Sequence, residues 1–169
     1  FDGVHLLAFE PARRMVVFNT ATGKSVSYQP EDQDVPEEDG ESMSSSGAVV
    51  AKFLRLEQAD DQTGMMALLF PKPMDPTTSV ELSVPGYDTE AVKSCGSRWV
   101  QLAVKRGSAA VVVHDAAGAA VSSRTVSLPA RANGYALDCN SRTALVRYDL
   151  VDDNGDYTGY RSRSFAVDQ

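Results

Sequence analysis

Cysteine, histidine and tryptophan are scarce in this chain of 169 residues, at two, two and one. Cys95 and Cys139 belong to no Cys-x-x-Cys or mixed Cys/His pattern, so the sequence offers no zinc site. His5 and His114 lie more than a hundred residues apart and no Gly-x-Ser-x-Gly elbow is present, so spacing assembles no Ser-His-Asp set. Each histidine reads better as a strand-end or half-buried residue than as a general base. No apolar run is long enough to cross a bilayer as a helix, and no charged-then-apolar stretch of the secretory kind opens the chain.

Basic excess is also missing. Residues 29–46 hold seven acids and no base. Of the 23 acids in the chain, removing these seven leaves 16, equal to the 16 lysines and arginines. The net charge of −7 therefore belongs to one segment, and the neutral body gives no electrostatic reason to bind a phosphate backbone. Nucleic acid is not an expected partner. With two prolines, repeated acids and a serine run, residues 29–46 read as a solvated flexible loop. That loop is either a tether or phosphorylation-sensitive contact, or a tolerated insertion.

Helical periodicity is scarce too, and short β-type runs between turn residues replace it. Strands are expected over 4–9, 15–18, 25–28, 48–56, 65–70, 79–84, 90–94, 99–105, 109–114, 119–128, 135–138, 143–151 and 157–167. Two self-matches organise them. Pro85, Cys95, Ser97 and Arg98 recur 44 positions later as Pro129, Cys139, Ser141 and Arg142. At an offset of 95, without gaps, Leu7, Val16, Val17 and Gly23 fall on Leu102, Val111, Val112 and Gly118. Repeats of this length made of strands suit propeller blades, whose units cannot bury an apolar face alone.

In Val16–Lys24 and Val111–Gly118 a strand ends at Phe18-Asn19 or Val113-His114 and runs into a Gly-containing turn. These stretches resemble the third strand and turn of WD-repeat-like propeller blades, with those dipeptides where Trp-Asp would stand. No Gly-His pair precedes a blade, and the sole Trp is Trp99. The resemblance implies an all-β, propeller-like array of about four antiparallel blades, read as one β domain over 1–169. A two-sheet β-sandwich is the alternative. The chain opens on Phe1 and both ends fall mid-blade, so it reads as part of a larger ring, completed by further sequence, a second chain or a copy of itself.

Several constellations have plain readings. Thr20–Ser25 ends like a phosphate-binding loop but lacks the leading glycine and precedes a strand, so it is a hairpin turn. Asp152–Asp156 has alternate carboxylates, yet Tyr157 and Arg163 stand where a calcium loop needs glycine and a bidentate acid. Asn154-Gly155 predicts a hairpin there. Because equivalent positions on neighbouring blades point the same way, Cys95 and Cys139 read as two thiols rather than a bridge.

Candidate partner-binding residues are Tyr157, Tyr160, Arg161 and Arg163, on a polar outer or edge strand with both arginines on one face and the tyrosines beside them. Arg98 and Arg142 open the second strands of successive units, as a basic rim or as repeated structural contacts. The functional expectation is a non-catalytic interaction scaffold or assembly subunit with protein partners, no cofactor and no metal. The alternative is an extracytoplasmic propeller binding or cleaving a glycan or peptide, possible calcium assistance included; a Cys95–Cys139 bridge would favour it.

Overall fold

In a computed structural model of the chain, the described residues are 5–10, 14–28, 34–36, 42–43, 48–56 and 63–167. They form fifteen strands and one 3-10 turn, Pro76–Thr78, with no α-helix among them. The strands fall into two units, within Phe1–Ser83 and Val84–Gln169.

In the first unit β1 (His5–Glu10), β2 (Arg14–Asn19) and β3 (Ser25–Tyr28) form one antiparallel meander. A second sheet holds β4 (Asp34–Pro36), β5 (Ser42–Met43), β6 (Val49–Leu56), β7 (Thr63–Phe70) and β8 (Val80–Leu82), in the order β4-β6-β7-β8 with β5 also on β6. Met15 and Val17 of β2 share a core with Val49, Ala51, Met66, Leu68 and Phe70. The acidic segment is therefore more than a loop. Asp34–Pro36 and Ser42–Met43 both pair with β6, and the rest of 29–46 lies outside the described residues. Pro36 is the last residue of β4, which lies at the edge of its sheet among the described residues, the place in a sheet where proline is tolerated.

The second unit carries the clearest repeat. One sheet runs β12-β11-β10-β9, from β9 (Asp88–Cys95), β10 (Arg98–Lys105), β11 (Ser108–His114) and β12 (Ala120–Ser127). The next runs β13-β14-β15, from β13 (Ala132–Cys139), β14 (Thr143–Val151) and β15 (Tyr157–Ala166). Each sheet is a sequential meander. A sandwich passes its strands back and forth between two sheets, so this order speaks against that alternative.

Facing sides of the two sheets make one core. Val100, Leu102, Ala109, Val111 and Val113 pack with Leu137, Ala144, Val146 and Tyr148. Alternation explains the choice: β14 buries Ala144, Val146 and Tyr148 and exposes Leu145 and Arg147 between them. β10 and β11 differ, since Trp99, Gln101, Ala103, Ala110, Val112 and His114 on their other face are buried as well. Strands buried on both faces read as continuous apolar runs, as Ala109–Val113 does.

The offset of 95 needs one correction. Leu7 pairs with Val17, whereas Leu102 pairs with Val111, not with Val112. Strand β1 matches β10 at 95, but β2 matches β11 at 94, because three residues join Glu10 to Arg14 and two join Lys105 to Ser108. The turn does not follow the strand register, which sets Asn19 against Val113; by the turn hydrogen bonds the match lies two residues further on. Asn19 and Asp115 each begin the turn, accepting backbone N–H groups on the side-chain oxygen, so His114-Asp115, not Val113-His114, corresponds to Phe18-Asn19. Such Asx turns satisfy the chain where it leaves the ladder.

Candidate functional site

The two cysteines are bonded to each other, contrary to the expectation of free thiols. Cys95 ends β9 and Cys139 ends β13, with Cα atoms 5.6 Å apart. Equivalent residues point the same way on parallel-stacked faces, but these occupy the first strands of adjacent sheets, where the strands run side by side. Lys93 meets Asp138 at 3.2 Å, one register away. The following turns touch as well: a Cβ placed on Gly96 would stand 2.8 Å from the Ser141 Cβ. Glycine is required there twice over, since φ is +70°.

That corner fixes Arg98 and Arg142. Arg98 opens β10 and is half-buried; Arg142 is exposed, in the turn just before β14 rather than on it. The Arg142 N–H donates to Asn140 Oδ1 and its carbonyl accepts from Val167 N–H. A shallow depression of 350 Å³ beside them is lined by Asp138, Cys139, Asn140, Thr143 and Leu145. Two of its polar groups are engaged: Asp138 pairs with Lys93, and Asn140 Oδ1 accepts from the Arg142 and Thr143 N–H groups.

β15 is the last strand of its sheet and pairs, among the described residues, only with β14. Tyr157, Tyr160, Arg161 and Arg163 are all exposed, the tyrosines at 63% each. Arg161 lies opposite Tyr148 and Arg163 opposite Val146, which sets both arginines on the core-side face, at its open rim. Tyr160 lies opposite Asp149, and the Arg147 guanidinium sits 5.9 Å from its ring on the other face. The arginines share a face as expected; Tyr160 does not join them. A bulge between Leu150 and Val151 adds one residue before Gly159, so Tyr157, opposite Val151, falls on the Tyr160 side. The six candidates thus divide between a turn corner and a strand. Tyr157 stands at one end of β15, Arg142 beyond the other.

The turn into β15 spans Asp152–Asp156, five residues rather than the two that Asn154-Gly155 suggests, with Val151 opposite Tyr157. Asp152 Oδ1 accepts from the Asn154 and Asp156 N–H groups, and Asp153 pairs with Arg131. Both carboxylates are structural. Thr20–Ser25 is likewise a hairpin turn, closed by Asn19 N–H donating to the Lys24 carbonyl.

His114 is buried in a polar row that spacing did not reveal. Its Nε2 lies 3.0 Å from the Gln101 side-chain amide, which lies 2.8 Å from the Thr89 hydroxyl. Nδ1 lies 3.1 Å from the Gly118 carbonyl and therefore carries a proton. Burial pulls the imidazole pKa below its usual value against opposing pulls from the Gly118 carbonyl and Asp115. Here the Gln101 NH₂ donates to the Thr89 hydroxyl and the amide oxygen faces Nε2; a neutral ring needs that amide turned over, its NH₂ then donating to Nε2 and Thr89 donating to its oxygen. This row holds three strands of one sheet together. It leaves His114 without access to a substrate. His5 opens β1, and its side chain lies outside the described residues.

Compared with known proteins, the chain matches no family and no curated sequence. Solved structures do match. A chain of a mitotic checkpoint complex aligns with 95% of this chain and 50% of its own length, at 10% identity and a TM-score of 0.52. A chain from a structural study of two prolyl endopeptidases aligns with 95% of this chain and 23% of its own, at 15% identity and a TM-score of 0.50. This chain therefore spans half or less of the length of these structures. At such identities the likeness concerns the fold alone, and the fold it shows is all-β and propeller-like.

Proposed function

We propose that the chain is a non-catalytic protein-interaction scaffold, one segment of a larger assembly built on degenerate WD-repeat-like blades. The exposed terminal strand β15 carries this reading. Arg161, Arg163, Tyr157 and Tyr160 all stand in solvent on it, and arginine and tyrosine are the residue types that dominate protein interfaces. Among the described residues, His114 in its buried row, Asp138 with Lys93, and Asp152 and Asp153 in the turn have structural partners.

A second reading rests on the Cys95–Cys139 bridge, which suits an oxidising compartment. It makes the chain an extracytoplasmic propeller that binds or cleaves a glycan or peptide. Cross-linking of the purified chain in its native extract, followed by mass analysis, separates the two. The scaffold reading expects stable protein adducts through 157–163 or through Arg98 and Arg142. Turnover of peptide or glycan libraries by the isolated chain would replace it with the second reading.

A further inference from the structure

Tyr87 reaches the β10–β11 hairpin from a turn that fixes its backbone. Pro85 and Gly86 hold the centre of that turn, Gly86 at φ +73°, and the Tyr87 N–H donates to the Val84 carbonyl at 3.0 Å. The phenolic oxygen stands 3.1 Å from the Ser108 hydroxyl, and the Lys105 ammonium lies 4.3 Å from the ring centroid. We propose that Tyr87 is a nucleophilic phenol, a modification site that takes an acyl group from activated acyl donors. It draws on no residue of β15 and does not depend on the scaffold reading.

Strand register builds the site. Lys105 and Ser108 face each other across the two-residue turn Arg106-Gly107, so their side chains stand on one face of the sheet. Thr125 pairs with Ala110, two residues beyond Ser108, and shares that face. Asp88 pairs with Val104 and falls on the opposite face. No carboxylate pairs with Lys105 among the described residues, which leaves its charge to the ring.

Each of these groups favours the ionised phenol. Ser108 donates its hydroxyl proton once the phenol ionises, and a cation beside the ring offsets the new charge. The Ser108 hydrogen bond first, then Lys105 and Thr125, pull the phenol below the usual tyrosine value against the opposing effect of burial. A nucleophile held partly ionised at neutral pH is an activated one. In the step itself the phenolate oxygen attacks the donor's carbonyl carbon and forms an oxygen–carbon bond. The bond to the leaving group breaks, the leaving group departs with its electron pair, and the phenolic proton goes to water.

Tyr157 and Tyr160 supply the comparison within the same chain. Both are 63% exposed, whereas Tyr87 is half-buried. Exposure alone makes those two react first; activation reverses the order.

The test treats the full chain with limiting N-acetylimidazole at neutral pH and maps the acetyl groups by mass analysis of a digest. Tyr87 should carry the first acetyl group, ahead of Tyr157 and Tyr160, and hydroxylamine should release it as a phenyl ester. Lys105→Met and Ser108→Ala, each at unchanged thermal midpoint, should slow Tyr87 to the rate of Tyr157 or below. Tyr157 and Tyr160 should react in both variants as they do in the parent. First acetylation at Tyr157 or Tyr160 in the parent chain would overturn the assignment without recourse to a variant. So would a hydroxylamine-stable acetyl group on Lys105 in place of the ester, or Tyr87 rates equal in the parent and both variants.

Discussion

Cys95 and Cys139, equivalent residues of successive sheets, are joined to each other across a sequence separation of 44. The bond fastens the first strands of those sheets at the end where their turns also touch, so one repeat unit is locked to the next at its corner.

Reducing the bridge or replacing both cysteines by serine should destabilise the second unit by about 4 kcal/mol, the loop-closure entropy of a segment this long. Urea unfolding of oxidised and reduced chain measures it. Equal midpoints would show that the bridge contributes nothing to stability.

Gly96→Ala should cost 1–3 kcal/mol, roughly the cost of a side chain at positive φ together with its collision with Ser141. Combining it with Ser141→Gly should recover the steric share and leave about 1–2 kcal/mol for the backbone alone. A double variant as unstable as the single one would show that Ser141 is not the obstacle.

His114 predicts the direction of pH dependence. Its pKa is lowered in the folded chain, so below about pH 6.5 the unfolded chain takes up the proton first. Stability from this group is full above that pH and declines as pH falls toward the lowered value. Urea midpoints at pH 7.5 and 5.5 should therefore differ less in His114→Gln than in the parent.

Lys93→Ala should change stability by less than about 1 kcal/mol, because the pair it forms with Asp138 is open to solvent on both sides. Tyr148→Ala, by contrast, empties a position only 1% exposed in the shared core and should cost about 3–5 kcal/mol. Thermal melts of the two variants side by side give the contrast directly.

Strand existence was legible because it rests on local signals. Val111–Val113 and Thr143–Val151 announce themselves by apolar runs and alternation, and the Gly-containing turns mark where they end. The order of the meanders followed from turn spacing. Relations between sheets were hidden. The bridge was missed because sequence carries the equivalence of Cys95 and Cys139 but not the approach of β9 to β13. Charge masked β4 and β5, whose pairing comes from β6 rather than from their own propensity. Of the candidate site, exposure and polarity of β15 could be read in advance. The separation of Arg161 from Tyr160 could also be read, from the alternation of side chains; the side taken by Tyr157 depended on a bulge that no residue pattern marks.

The extra residue between Glu10 and Arg14 has a consequence for anyone exchanging modules in this chain. A graft of β11 in place of β2, aligned by letter matching, would put Val112 where Val17 belongs, while the structurally equivalent residue is Val111. Every side chain of the transplanted strand would then change faces, and a chimera that looks conservative on paper would set the wrong half of its side chains against the first unit's core. Hairpin length in this protein is thus a coding element, as binding on the fold as any buried side chain.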